Sequence, residues 1–134
     1  MRRLIIVVFI FISSFTTNIF AEVKIGIILG FTGPIETLTP AMAASAEVAF
    51  KEASDSGSLL GGEKISVIRA DSTCIDSAVA TAVAEGVVAQ GVVAIMGGGD
   101  CPDVTSAIAS KVVPNGVVMI SPSATSPGLT TLDD

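Results

Sequence analysis

Four short apolar runs, each followed by a polar or glycine-containing loop, constrain the fold of this chain more than any other feature. The runs comprise residues 23–29, 65–70, 92–96 and 117–120. They are rich in Val and Ile and do not alternate apolar with polar residues, which is typical of strands buried on both faces of a parallel sheet. Parallel strands need long crossover connections, and helices usually provide them.

The segment after the first run predicts an amphipathic helix. Thr39 is the predicted N-cap, Pro40 takes the first helical position, and the helix continues to about Ser54. Glu47 and Lys51 are spaced to form an ion pair along its exposed side. The face predicted to pack on the sheet is formed by Met42, Ala46, Ala49 and Ala53.

Two further helices are predicted between the later runs. One extends from about Asp76 or Ser77 to Gln90, and the other from Pro102 to the breaker sequence at 114–116. Their predicted packing faces are Val79, Val83, Gly86 and Val87 in the first, and Val104, Ala107, Ile108 and Val112 in the second. The order β-α-β-α-β-α-β therefore predicts an α/β fold, a partial doubly wound parallel sheet with helices on its faces.

The amino terminus has the three regions of a secretory signal peptide. Two arginines precede an apolar stretch at 4–12, and a small residue, Ala21, marks the expected cleavage site. The apolar stretch is too short for a membrane span, although a short membrane anchor is the alternative. We predict a signal peptide at 1–21 and an incomplete lobe at 22–134, since four strands leave one sheet edge without the strands that such domains usually add.

Charge and composition exclude several function classes. The chain has a net charge of −6 and no basic run, which argues against nucleic acid as a partner. It contains no histidine, so Ser-His-Asp and Cys-His catalysis lack a base and zinc lacks a ligand set. Gly26, Gly30 and Gly33 do not fit the dinucleotide fingerprint, and there is no P-loop. We therefore predict no enzyme activity, no cofactor and no metal.

The two cysteines, Cys74 and Cys101, are consistent with an oxidising compartment, where an isolated pair tends to form a bridge. A bridge across this spacing would contribute about 3.5 kcal/mol by the chain-entropy estimate. Two free buried thiols and half of a metal site are the alternatives.

Polar residues collect where the predicted strands end. Ligands of open α/β sheets bind beyond the carboxyl ends of the strands, so the hydroxyl-rich loop after Ile120 predicts one wall of a small-molecule site. The alternative is a solvated loop that caps the next helix. The individual residues also have structural alternatives. Asp100 and Asp103 could do no more than stabilise the dipole of the third helix. Asp71 and Thr32 could do no more than form the turns in which they lie.

Several of these segments together resemble a known family. They are the opening IGIILGFTGP at 25–34, the DSTC sequence at 71–74, the cysteine after the third strand, and above all GVVMISPSATSPGLT at 116–130. They resemble the amino-terminal lobe of periplasmic substrate-binding proteins of ABC transporters, of the Leu/Ile/Val-binding type. The resemblance covers almost all of residues 23–132.

The resemblance implies a type I periplasmic-binding-protein fold in which two lobes close on an amino acid. It also implies a periplasmic location and, for a full-length protein, an ABC permease in the inner membrane as partner. An extracellular sensor module of the same fold, attached to a membrane receptor, is the alternative function. Because a closing cleft binds its solute from both sides, an isolated lobe is expected to bind ligand weakly or not at all.

Site residues follow from the resemblance by position. Ser123 would offer its backbone and Thr125 its hydroxyl and amide, with Ala124 between them, and the family's disulfide maps onto Cys74 and Cys101. Pro102 stands where the family usually has a serine that helps to hold the ligand carboxylate. The complete set of predicted ligand-binding residues is Thr32, Gly99, Asp100, Pro102, Asp103, Ser123, Ala124 and Thr125.

Proline at position 102 has neither a hydroxyl nor an amide hydrogen, and Asp100 and Asp103 beside it add negative charge. Either the ligand class differs from that of the family, or the amides of Gly98, Gly99 or Asp103 replace the serine.

Overall fold

The computed structural model describes residues 22–132, so the predicted signal peptide lies outside the described residues. The strands are β1 (Glu22–Leu29), β2 (Lys64–Asp71), β3 (Ala94–Gly97) and β4 (Val118–Ile120). The helices are α1 (Thr39–Asp55), α2 (Ser77–Val88) and α3 (Pro102–Val112), with short 3-10 turns at Leu59–Gly61, Val113–Asn115 and Pro127–Thr131.

The four strands form one parallel sheet in the order β2-β1-β3-β4. Ile25 of β1 is in register with Val67 of β2 on one side and with Ala94 of β3 on the other. The first strand in sequence is therefore a central strand of the sheet. This architecture confirms the predicted α/β fold and the alternation of strands with helices.

The face of the sheet covered by α2 and α3 carries the larger core. Ten residues are buried there: Ile28, Ala80, Ala84, Val87, Val92, Ile95, Val104, Ile108, Val112 and Val117. The predicted packing face of α3 is confirmed at Val104, Ile108 and Val112. The predicted face of α2 is wrong at Val79, which is 41% exposed, and at Gly86, which is also exposed, because the small Ala80 and Ala84 turn towards the sheet instead.

In the part of the chain that the structure describes, α1 alone covers the opposite face of the sheet. Ile27, Leu29 and Ala43 are buried there, with half-buried neighbours that include Phe50 and Met96. Beyond Phe50 and Met96 the sheet continues into β4, whose Val118 and Ile120 are 60% and 69% exposed. Among the described residues, this outer strip of the α1 face is left uncovered.

Two details of α1 differ from prediction. The N-cap is Leu38, which makes no side-chain cap, and the Thr39 hydroxyl is buried and donates to the Gly30 carbonyl oxygen at 2.9 Å. The helix is also rotated about its axis relative to the predicted face, because Ala43 and Ser54 are buried whereas Ala49 is exposed. An alanine-rich helix presents little contrast in hydrophobicity between its sides, so larger neighbours such as Phe50 decide its orientation.

The predicted pairing of Glu47 with Lys51 is wrong. Glu47 instead accepts two hydrogen bonds from Arg69 of β2, and Lys51 pairs with Asp55 one turn further along the helix. The guanidinium can bind both carboxylate oxygens at once, which a single ammonium cannot do.

Within residues 22–132, no helix combines the length and the apolar character needed to cross a lipid bilayer.

Candidate functional site

All four strands run in the same direction, so the loops that follow them meet at one edge of the sheet. We call these loops the β1 loop (residues 30–38), the β2 loop (72–76), the β3 loop (98–101) and the β4 loop (121–126). Together they form what we call the carboxyl edge, the position at which open α/β sheets bind their ligands.

Three consecutive glycines allow the β3 loop to leave the sheet. Gly97, Gly98 and Gly99 all have positive φ, from 73° to 102°, which other residues rarely adopt. A Cβ atom at Gly97 would overlap the Ile28 carbonyl oxygen, and one at Gly99 would lie 2.7 Å from Val104 Cγ1. The glycines therefore let the loop pass directly over β1 and bring Asp100 to the centre of the carboxyl edge.

The predicted disulfide between Cys74 and Cys101 is confirmed, with the two Cα atoms 5.4 Å apart. It joins the β2 loop to the residue immediately before α3. Thr73 and Cys74 both have positive φ, near 60°, a conformation that costs free energy in residues other than glycine. The bridge thus stabilises a turn that the backbone alone would not favour.

Asp71, the last residue of β2, organises the start of the β1 loop. Its carboxylate accepts the amides of Phe31 at 2.9 Å, Thr32 at 3.3 Å and Thr73 at 2.8 Å. It also accepts the Thr32 hydroxyl at 2.6 Å, so this predicted ligand-binding hydroxyl donates to a protein group. Burial acts to raise the pKa of Asp71, but the hydrogen bonds outweigh burial and hold its pKa below the ordinary value.

Asp100 connects three of the loops. One carboxylate oxygen accepts the Gly30 amide of the β1 loop at 3.4 Å, and the other accepts the Ser123 hydroxyl of the β4 loop at 2.6 Å. The carboxylate is partly exposed to solvent. Predicted site residues Asp100 and Ser123 are therefore in direct contact.

The β4 loop is held to the β3 loop through the carbonyl oxygen of Gly99. This oxygen accepts the buried Thr105 hydroxyl at 2.9 Å and the Ser121 hydroxyl at 3.3 Å. The Ser121 oxygen in turn accepts the Ala124 amide at 3.1 Å. The predicted residues Gly99 and Ala124 thus belong to one network, and the Gly99 amide donates to the Ile28 carbonyl at 3.2 Å.

The other predicted residues lie at the border of this network. Pro102 and Asp103 are exposed in the first turn of α3, and Thr125 is exposed in the β4 loop. Sequence reasoning left Asp71 out of the ligand-binding set, gave a turn as its structural alternative, and missed its contacts with Thr32. The sequence Asp71-Ser-Thr73 was the available signal, since an aspartate often accepts the amide two residues further on.

The four loops of the carboxyl edge offer many hydrogen-bonding groups but no positively charged side chain. They contain hydroxyls, free amides and several carboxylates, but neither lysine nor arginine. In the described range, 22–132, no cluster of three or more potential metal ligands occurs. This arrangement can hold a small polar molecule by hydrogen bonds.

A family model described as periplasmic binding protein matches residues 22–132. Solved structures are also similar. LivJ from Streptococcus pneumoniae, a branched-chain amino acid transporter substrate-binding protein in complex with isoleucine, is 31% identical with a TM-score of 0.73, and the match covers 82% of this chain and 31% of LivJ.

A leucine-binding protein, LivK from Thermotoga maritima, is 28% identical with a TM-score of 0.66, and the match covers 81% of this chain and 30% of LivK. An ABC transporter substrate-binding protein from Desulfitobacterium hafniense, in complex with Leu, is 29% identical with a TM-score of 0.67, and the match covers 84% of this chain and 32% of that protein. No curated protein sequence matches significantly.

The chain spans about a third of the length of these solved structures. Its parallel sheet with flanking helices agrees with the type I periplasmic-binding-protein fold that the resemblance implied. The chain belongs to the periplasmic binding protein family, whose members among these relatives are substrate-binding proteins and not enzymes.

Proposed function

We propose that this chain is the amino-terminal part of a periplasmic solute-binding protein that delivers its ligand to an ABC importer. Its ligand is a branched-chain or related amino acid, held at the carboxyl edge and enclosed from the other side by a second lobe. Support for the ligand class comes from relatives that were solved with isoleucine and with Leu. An ABC permease in the inner membrane is the partner that this function requires.

The observation that carries the proposal is the hydrogen-bonded junction of three loops at Asp100. Gly30, Asp100 and Ser123 come from loops far apart in sequence, yet they meet at the edge where ligands of this architecture bind. Such a junction gives a site that is already formed before the ligand arrives, as is usual for small-molecule sites.

Around this junction, Thr125 offers an exposed hydroxyl. Ser123 and Ala124 would contribute their backbone carbonyl groups, because their amides already donate to the Ser121 hydroxyl oxygen. These groups would hold the polar end of the ligand. Thr32, Gly99, Pro102 and Asp103 would shape the surrounding surface. Gly99 does so through its compact backbone, because its amide already donates to Ile28.

The test uses the complete mature protein, purified from periplasmic extract and examined by thermal unfolding with each of the common amino acids. We expect leucine, isoleucine or valine to raise the Tm, because a ligand that binds only the folded state stabilises it. If no amino acid shifts the Tm, the proposed ligand class is wrong.

A Thr125→Val variant, which keeps the shape and removes the hydroxyl, should bind the same amino acid roughly 5- to 10-fold more weakly, the loss expected for one hydrogen bond. Thr131→Val serves as the matched control, since Thr131 lies outside the carboxyl edge in the last 3-10 turn. Equal losses in both variants would contradict the assignment of Thr125.

Transport and sensing are separated by uptake. Deletion of the gene should abolish the binding-protein-dependent uptake of the radiolabelled amino acid that stabilises the protein. Unchanged uptake together with ligand binding would instead indicate a sensor. Export is tested by sequencing the amino terminus of the periplasmic protein, which should begin at Glu22.

A further inference from the structure

The carboxylate of Asp100 occupies the place where the loops could otherwise have received an anion. It takes up the Ser123 hydroxyl at 2.6 Å and the Gly30 amide at 3.4 Å, two donors that face the carboxyl edge. The protein therefore supplies its own negative group to these donors. A ligand anion at the same place would have to displace Asp100 or lie beside it.

Within residues 22–132, the surroundings of Asp100 provide no compensating positive charge. None of the four loops of the carboxyl edge contains lysine or arginine. Arg69 is the basic residue of β2 that lies nearest in sequence to this edge, and it donates two hydrogen bonds to Glu47. Asp100 is thus a partly exposed carboxylate without a salt-bridge partner among the described residues.

The start of α3 does not offset this charge. A helix amino terminus normally binds anions through its first free amides, but the first residue of α3 is Pro102, which has no amide hydrogen. The next residue, Asp103, adds another carboxylate in the first turn. An anionic group is therefore disfavoured on this side of Asp100 as well.

An ammonium group, by contrast, supplies the hydrogen-bond donors and the positive charge that Asp100 lacks. An ionised carboxylate can accept about four hydrogen bonds, and Asp100 receives two from the protein, one of them long. A ligand ammonium can donate to the remaining positions and at the same time supply the missing positive charge. Hydrogen bonds of this kind are roughly twice as strong as those between neutral groups.

We propose that Asp100 determines specificity by selecting ligands that present an ammonium group to the carboxyl edge and by rejecting ligands that present a carboxylate there. This inference rests on the proposed solute-binding function and adds the orientation and the charge class of the ligand. An amino acid would bind with its ammonium at Asp100 and its carboxylate directed away from the β3 and β4 loops.

The test is isothermal titration of the complete mature protein at pH 6, where the amino groups are protonated, with four matched compounds. They are leucine, leucinamide and 3-methylbutylamine, which carry an ammonium, and 4-methylpentanoate, which carries only a carboxylate. We expect the wild-type protein to bind leucine or the two amine compounds and to bind 4-methylpentanoate at least 10-fold more weakly.

The Asp100→Asn variant, which keeps the size of the side chain and one acceptor oxygen, should bind each ammonium compound roughly 10- to 100-fold more weakly, the loss expected for a hydrogen bond to a charged group. Glu52→Gln, which makes the same change of charge at an exposed position of α1, should leave these affinities unchanged. The wild-type comparison of the four compounds tests the inference even if Asp100→Asn fails to fold.

The outcomes separate this inference from the proposed function. Binding of the amines without binding of leucine supports the role of Asp100 and contradicts an amino-acid ligand. Leucine binding that is matched by 4-methylpentanoate, or that is unaffected in Asp100→Asn, overturns the role of Asp100 and leaves the amino-acid ligand in place. If none of the four compounds binds, both proposals are wrong.

Discussion

The two faces of the sheet are stabilised by different means. The face under α2 and α3 buries ten residues in one continuous apolar cluster and carries the disulfide beside it, with Cys101 packed against that cluster. The α1 face buries three apolar residues among those that the structure describes, and polar contacts hold its helix and loop in place. These contacts are Thr39 with Gly30, Arg69 with Glu47, Ser54 with Ile65, and Asp71 with the β1 loop.

This difference shows how one sheet can serve both stability and binding. Apolar burial does not depend on titration or on the screening of charges, whereas hydrogen bonds to charged groups and ion pairs at a partly exposed surface respond to both. The β1 loop, which borders the carboxyl edge, is held by hydrogen bonds to the Asp71 carboxylate. We therefore expect the two faces to respond differently to substitution, reduction, pH and salt.

The largest expected difference is between two isoleucines on neighbouring strands. Ile95 is 1% exposed on the α2 and α3 face, whereas Ile120 is 69% exposed on the α1 face. Ile95→Ala should lower the free energy of unfolding by about 2–5 kcal/mol through the cavity that it leaves, and Ile120→Ala by about 0.5 kcal/mol or less. Urea denaturation measures both, and equal losses would remove the distinction between the faces.

Loss of the disulfide comes next. The variant with both Cys74→Ala and Cys101→Ala should be less stable by about 3.5 kcal/mol, because the bridge restricts a long loop in the unfolded chain. Urea denaturation with and without a reducing agent checks this value. The reducing agent should destabilise the wild-type protein and leave the double variant unaffected.

Asp71 gives a smaller effect that depends on pH. Its pKa is lowered in the folded state, so the unfolded state binds the proton more tightly and stability rises with pH through this titration. The contribution should be complete above the unfolded pKa of about 3.9 and be lost as pH falls through the folded pKa. Asp71→Asn should remove about 2 kcal/mol at pH 7 and flatten this part of the pH profile of unfolding. A variant that keeps the wild-type profile between pH 2 and pH 5 would contradict the assignment.

The smallest expected effect belongs to the ion pair on the α1 face. Arg69 lies 5.7 Å from the centre of the Phe31 ring and pairs with Glu47, and both charged side chains are more than a third exposed. Glu47→Gln should therefore cost only about 0.5 kcal/mol. The cost should shrink further in 1 M salt, where exposed charges are screened, and a loss that is independent of salt would indicate a packing effect instead.

The sequence was sufficient for the architecture because its signals were strong and local. Short runs rich in Val and Ile, such as 23–29, favour buried strands, and Pro102 and the breaker at 114–116 limit α3 clearly. The orientation of α1 was not predictable, since six of its seventeen residues are alanine and every side offers a plausible apolar stripe. Packing against residues distant in sequence decides such a case.

The same limit applied to the carboxyl edge. The sequence indicated which residues collect there, but the contact between Asp100 and Ser123 spans 23 residues, and that between Asp71 and Thr32 spans 39. Interactions over such separations depend on the order of the strands, which no local pattern specifies. Thr39 illustrates the point, because its sequence context fits a helix cap and its position in the fold makes it a buried donor to Gly30.

The central position of β1 has a consequence for the order in which the chain can fold. β1 is synthesised first, yet its second neighbour is complete only at Gly97, 68 residues after β1 ends at Leu29. Pairings between such distant segments form slowly, since the entropy of closing a long loop is lost before any contact is gained. The sheet therefore cannot be completed in the order in which its strands are made, and its centre closes only once Gly97 has been synthesised.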